Sequence, residues 1–119
     1  METLERSSNV TVVDFETTLE RILRSYIDVL DLGSEVLVYL VRSDDRHHFM
    51  LMHEGWQGDR RLYGAIVHAE VRNGKIWVHY DGTEAGITEE LVLAGVLPEQ
   101  IVLAFQPPHA RKQTGYAIG

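Results

Sequence analysis

Apolar residues fall at Phe15, Leu19, Ile22, Leu23, Tyr26, Ile27 and Leu30. Their spacing traces one stripe of an α-helix. Asp14 stands before the stripe as an N-cap, and Gly33 beyond it suits the stop. Glu16 and Glu20 sit toward the positive end of the helix dipole, with Arg21 and Arg24 further on. Residues 1–12 are weakly patterned and are expected to fray. After the helix the period changes. Residues 36–42, rich in β-branched side chains, predict a first strand. Residues 43–46 carry turn chemistry. Residues 47–54 predict a second strand, and 55–59 a wider connection. Residues 60–72 predict a long third strand, and 75–80 a fourth.

Asn73-Gly74 is the strongest two-residue hairpin signal in the chain, because a type I′ turn needs positive φ twice. It pairs Val71 with Ile76, Ala69 with Val78, and Val67 with Tyr80, so one face is apolar throughout and is expected beneath the helix. The opposite face pairs Glu70 with Trp77 and His68 with His79. If the 55–59 loop pairs Glu54 with Arg60, then Met50, Met52, Leu62 and Ile66 join Trp77 on this second face. A sheet face so apolar needs a cover. The C-terminal third is expected to supply part of it, and a partner subunit the rest. In that third, Thr88 reads as an N-cap with Glu89 and Glu90 in the first turn. Leu91, Val92 and Val96 give a short helix ending near Gly95, and Pro98 bars its continuation. Residues 101–105 read as a short strand, and Pro107-Pro108 stiffens the chain before the tail. The expected fold is α+β. A long N-terminal helix packs on a four-stranded antiparallel meander sheet, followed by a short helix and a short C-terminal strand. One domain spans residues 1–119.

The bulk properties exclude several functions. The 119 residues contain no cysteine, which removes disulfides, thiol nucleophiles and thiolate metal sites. No apolar run approaches a membrane span, and residues 1–13 lack a signal pattern, so the expected location is cytoplasmic. The net charge is −7. Acids outnumber bases strongly in residues 1–45, whereas residues 100–119 carry only Arg111 and Lys112 as fixed charges. Such a body is repelled by a phosphate backbone, which argues against strong direct nucleic-acid binding.

Three groups of residues invite chemical readings. The expected register sets His68 opposite His79, with His48 diagonal to His68, and three imidazoles on one face could hold zinc. The plainer reading is of amphipathic side chains on a half-covered face. Asp81-Gly82-Thr83-Glu84 could be a cation or substrate loop, but it is too short for an EF-hand. A turn in which Asp81 bonds its own backbone suffices. Arg60 and Arg61, close to Trp56, could recognise a carboxylate or phosphate, or tie the loop to Glu54. No nucleophile-elbow, phosphate-loop or zinc-protease motif is present, and no cofactor is implied.

Read in order, His53-Glu54-Gly55-Trp56, Arg61-Leu62-Tyr63-Gly64, Gly74-Lys75-Ile76-Trp77 and Asp81-Gly82-Thr83-Glu84 resemble the XisI family, the fdxN element excision controlling factors. Leu91-Val92, Ala94-Gly95-Val96, residues 101–105, Pro107-Pro108, Arg111-Lys112 and Thr114 extend the resemblance to the C-terminus. The family pattern favours His where this chain has Gln106, Phe near Tyr116, and Gln where it has His79. The resemblance implies a small accessory protein that acts with a XisH-like protein, and with a separate recombinase system, in controlled excision of a DNA element. It carries no catalytic residues.

The expected function is therefore non-enzymatic and regulatory, exerted on a protein partner. An acidic surface suits a basic, DNA-handling partner. Trp56, Arg60, Arg61, Tyr63, Trp77, Arg111 and Lys112 are the candidate anchors, since aromatic and Arg side chains dominate hot spots. A homodimer or higher oligomer is expected from the undercovered face. The alternatives are a metal-binding or hydrolytic module on the His48, His68 and His79 face, and a small-ligand pocket between helix and sheet.

Overall fold

The computed structural model describes residues 13–119. The fraying expected of residues 1–12 lies outside them. Helix α1 spans Phe15–Val29. The Asp14 carboxylate accepts the Thr17 N–H at 3.2 Å, which satisfies one free donor of the first turn. Thr18, Leu19, Ile22 and Leu23 form its buried face. The helix stops at extended Leu30, ahead of Gly33, whose φ of 109° instead serves the loop into the sheet. No helix among the described residues is long and apolar enough to cross a membrane.

Five strands follow in one sheet, ordered β1-β2-β3-β4-β5. They are β1 Val36–Arg42, β2 His48–Gln57, β3 Arg60–Arg72, β4 Lys75–Asp81 and β5 Ile101–Leu103. The first four form the expected antiparallel meander. The C-terminal strand corrects the expectation in one respect, since it joins the same sheet and runs parallel to β4, with Ile76 beside Ile101. Parallel neighbours need a crossover. Here α2 (Thr88–Leu93) and a 3₁₀ turn at Pro98–Gln100 supply it. The cap of α2 is Ile87 rather than Thr88, which is the first helical residue.

Asn73 (φ 54°) and Gly74 (φ 74°) take the two positive φ values that their turn demands. The pairs Val71–Ile76, Ala69–Val78 and Glu70–Trp77 form as expected. Beyond them a β-bulge shifts the ladder, pairing His68 with Tyr80 and Val67 with Asp81 and leaving His79 as the extra residue. The expected Val67–Tyr80 and His68–His79 pairs are thereby corrected. The β2–β3 turn is also tighter than expected. Gly58 (φ 60°) and Asp59 close it, so Gln57 pairs with Arg60 and Glu54 with Tyr63. Leu62 now opposes Gly55 and falls on the α1 side, away from Met50 and Met52. Ile66, at a second bulge, also packs toward the core.

The core lies between α1 and the near face of the sheet. Leu19, Ile22 and Leu23 meet Phe49, Leu51, Val67, Ala69, Ile76 and Val78, and Ile87, Leu91, Val96 and Ile101 close the end. On the far face the tail covers only the β4–β5 end. A short helix, α3 (Pro108–Arg111), turns the chain back. The Ala117 N–H then bonds the Ile101 carbonyl at 2.8 Å. Arg111 fastens this return by donating to the carbonyls of Gln106, Ala104 and Ile118.

Gly55 lies where β1 crosses closest to β2. A Cβ there would fall 2.0 Å from the Glu35 carbonyl oxygen, at a φ of 154°. Gly58 has open space around it, with φ the only cost. Gly55→Ala is therefore expected to destabilise the fold by about 2–3 kcal/mol, from a backbone clash that no side-chain motion relieves. Gly58→Ala should cost about 1 kcal/mol. Urea midpoints of the two variants check the ranking, and equal losses would contradict it.

Candidate functional site

The far face carries two side-chain groups. The first is a polar cluster at its centre. His48 opposes Glu70 across β2 and β3, and His68 lies two residues before Glu70 on the same face. His79, displaced by the β4 bulge, joins them. The ring centroids of His48 and His68 are 5.2 Å apart, and those of His68 and His79 4.8 Å. Glu70 is only 8% exposed. Its Oε1 lies 2.8 Å from His79 Nε2, and its Oε2 3.4 Å from His48 Nε2. Arg72 approaches Oε1 at 3.7 Å. His48 Nδ1 and His68 Nε2 are 3.0 Å apart, so one ring donates to the other.

The three histidines thus meet as the spacing suggested, although through a different register. What gathers them is Glu70, which reasoning from the sequence passed over. The signal was present in the two-residue step from His68 to Glu70, which places both on one face. Among the described residues, no group of three or more His, Cys, Asp or Glu side chains has metal-binding geometry. Instead His79 Nε2 and His48 Nε2 face Glu70, and His48 Nδ1 meets His68 Nε2. Burial pushes the His68 pKa below its ordinary value, and the neighbouring His79 and His48 push it further. For Glu70, burial acts upward, but the His79 hydrogen bond and the charges of His48, Arg72 and His79 outweigh it and hold the carboxyl low.

The second group occupies the β2–β3 hairpin end, where Trp56 opposes Arg61 and Glu54 opposes Tyr63. The Arg61 guanidinium lies 5.4 Å from the Trp56 ring centroid and 5.7 Å from that of Tyr63. It also reaches Glu54 at 3.7 Å. Trp56 is 47% exposed and Tyr63 67%. An exposed cation–π contact contributes about 0.5–1 kcal/mol, and a surface ion pair about 0–1 kcal/mol. These contacts order the patch without burying it. Arg60 opposes Gln57 on the α1 side instead, donates to its Oε1 at 3.3 Å and lines the cleft past the end of α1. Three of the candidate anchors therefore converge.

The others lie elsewhere. Trp77 is half-buried under the tail, with the Arg72 guanidinium 4.0 Å above its ring and Arg111 at 5.9 Å. Arg111 holds the three carbonyls of the tail, and Lys112 is exposed. The Asp81–Glu84 loop is internally tied. Asp81 Oδ1 accepts the Thr83 N–H and hydroxyl at 3.0 and 2.6 Å, and Oδ2 accepts the Ile87 N–H at 2.7 Å. Asp81 thereby anchors the start of α2, and Gly82 and Glu84 are exposed. A cleft of about 290 Å³ opens past the end of α1, with Leu30, Leu32, Leu62 and Ile66 as its apolar wall. His53 also lines it, and its Nδ1 is buried without a hydrogen-bond partner.

The sequence model of the XisI protein family matches residues 10–118. A XisI-like protein from Anabaena variabilis, solved by crystallography, is 33% identical with a TM-score of 0.81, the match covering 88% of this chain and 96% of that one. The fdxN element excision controlling factor XisI from the same organism is 30% identical with a TM-score of 0.74, at the same coverage. Among curated proteins none matches.

The His–Glu cluster makes a signed pH prediction. His68 holds its proton less readily folded than unfolded, so acid favours the unfolded chain from about pH 6.5 downward. Glu70 is depressed, so its contribution is present above about pH 4.5 and is lost below it. Both act in one direction. Stability should fall from about pH 6.5 and fall more steeply below about pH 4.5. His68→Phe should remove the upper phase and keep the lower. Urea unfolding across this range measures both, and a flat profile between pH 7 and 5 would contradict the assignment.

Proposed function

This chain belongs to the XisI family, and on that premise we propose that it is a non-enzymatic regulatory protein that controls excision of a DNA element, or a related DNA-handling system, by binding a XisH-like protein. The observation that carries the reading is the match to the family over residues 10–118, together with likeness to a structure named as the fdxN element excision controlling factor. The action is indirect. A chain of net charge −7 has no basic stripe with which to hold DNA, so its effect on DNA passes through another protein.

The exposed Trp56–Arg61–Tyr63 group supports the partner reading. Residues of these types, rigid and amphipathic, supply most of the energy of protein interfaces. They stand on the sheet hairpin rather than on a loose loop, so little order is lost on docking. The acidic surface favours a basic partner and speeds encounter with it. On the same face His48 and His79 are bound to Glu70, and His68 to His48. The role is binding without chemistry, and no cofactor enters it.

Co-expression with the XisH-like product of a neighbouring gene should yield a complex that survives purification. Trp56→Ala combined with Tyr63→Ala should weaken it by about 30-fold or more, the effect of losing at least one hot spot. The stability of the isolated chain should change by less than about 0.5 kcal/mol, as both side chains are exposed. Calorimetric titration reads the first quantity and urea unfolding the second. Failure to co-elute under any salt condition would count against the partner, and undiminished binding by the double variant against the patch.

A further inference from the structure

Strand β1 is an edge strand of the sheet, and among the described residues no strand pairs with its outer side, where the Val36 N–H is taken by the Gly33 carbonyl at 3.2 Å. Two hydrogen bonds fix which backbone groups face outward. Trp56 N–H donates to the Glu35 carbonyl, and Ser43 N–H to the His48 carbonyl. The β1–β2 register runs between these points without a shift. Hydrogen-bonded and non-bonded positions alternate in an antiparallel ladder. Leu37, Tyr39 and Val41 therefore turn their backbone groups toward β2, while Val38, Leu40 and Arg42 present theirs to the outside. The side chains alternate as well. Val38 and Leu40 pack on the core beneath α1, which places Leu37, Tyr39 and Val41 on the far face. Leu37 is 60% exposed and Val41 41%.

An edge this apolar is a template for another strand. We infer that β1 pairs antiparallel with β1 of a second copy, about a two-fold axis through Tyr39. The occupant is a second copy because the strand is complementary to itself, and of the registers that match outward backbone groups the one about Tyr39 sets exposed Leu37 opposite exposed Val41. Val38 meets Leu40 of the partner copy and Leu40 meets Val38, so outward donors and acceptors match in pairs. Leu37 then lies opposite Val41, and each copy covers the other's exposed apolar side chain on the far face. Tyr39 meets its own counterpart on the axis. The contact is isologous and closes at two subunits, giving one sheet through both copies. Trp56 and Tyr63, on the β2–β3 hairpin, lie outside this strand-to-strand join. The inference is independent of the proposed function, and a XisH-like partner need not be present to test it.

The chain lacks cysteine, so single substitutions report cleanly. Tyr39 has no hydrogen-bonding groups toward the new neighbour. Its Cα would lie about 4.5 Å from its counterpart, within the range that a disulfide spans. Light scattering of the full chain at about 100 µM, where even a pairing with a Kd of about 10 µM is mostly formed, should give twice the 13.5 kDa of one chain. Tyr39→Cys should oxidise to a covalent dimer, whereas Leu93→Cys, on exposed α2, should not. Tyr39→Lys should yield monomer with an unchanged circular dichroism spectrum. Should the Tyr39 variants fail to fold, mixing Leu37→Cys with Val41→Cys gives the same information from two exposed sites, with cross-links between unlike chains expected. A single 13.5 kDa species at every concentration would overturn the inference. So would a dimer that persists in Tyr39→Lys while neither cysteine experiment cross-links. If Tyr39→Cys instead cross-links only to a co-expressed XisH-like protein, the edge accepts a partner's strand and self-pairing is wrong.

Discussion

The rest of the molecule depends on the burial of the α1 stripe against one sheet face. Leu19 and Leu23 are fully enclosed, as are Phe49, Leu51, Val67, Ala69, Ile76 and Val78 opposite them. Fully burying a Leu, Ile, Val or Phe side chain contributes about 1.5–3 kcal/mol, so this contact outweighs every ion pair and cation–π contact on the surface. Its effect is also directional. One helix of fifteen residues covers one side of a sheet. Among the described residues, α2, β5 and a short tail are left to treat everything else. Ile87, Leu91, Val96 and Ile101 are spent closing the end of this same core. Among the described residues, the far face is consequently left to the tail.

That face is divided by what reaches it. At the β4–β5 end, Arg111 gathers three carbonyls and the tail lies over Val102 and Trp77, which are thereby withdrawn from the surface. At the β1–β3 end nothing among the described residues arrives. Leu37 and Val41 stay exposed, and so do Trp56 and Tyr63. A monomer that leaves aromatic and aliphatic side chains together on a rigid sheet presents a surface suited to association. The division explains why residues of one type fall into different roles. Trp56 is exposed and Trp77 sheltered. Arg61 stands at the open end, while Arg111 is an internal fastener. Position relative to the tail decides which aromatic or guanidinium stays exposed.

Much of this was legible from residue order, because several local signals were unambiguous. The α1 stripe, its Asp14 cap and the Asn73-Gly74 turn each rest on a single strong physical preference, and each is found. The register correct at that turn nevertheless failed four residues away, at His79. A bulge answers to twist and to the neighbouring strand, which no two-residue pattern encodes. The β2–β3 connection failed for a different reason. Gly55 looked like the start of the loop, but its glycine serves the close approach of Glu35 in β1, a tertiary demand. The true turn at Gly58-Asp59 moves the pairing by three residues. An odd shift exchanges the faces, and Leu62 left the far side for the core while Met50 and Met52 stayed. Leu37 and Val41 drew no notice in the sequence because β1 was read as an ordinary strand, and an edge is a property of sheet order. Family resemblance was legible for the opposite reason. It draws on many weak positions together, and a wrong pairing at one of them does no harm.

The Glu70 cluster shows how an acidic chain can keep this face suited to an apolar contact. A buried carboxylate alone would be costly. Here His79, His48 and Arg72 surround it with donors. Near neutral pH the depressed His68 is uncharged, and the Glu70 charge is answered locally by Arg72, the hydrogen bond with His79 and the nearby His48 ring. The centre of the face is then close to neutral, although the chain as a whole carries −7. Net negative charge is carried by the rest of the surface, where acids dominate. The exposed aromatic and aliphatic groups of this face stand apart from it. Charge and apolar exposure thus fall on different parts of one small protein. The histidines, which first suggested a metal, instead let a carboxylate sit in the middle of a sheet face that otherwise presents apolar surface.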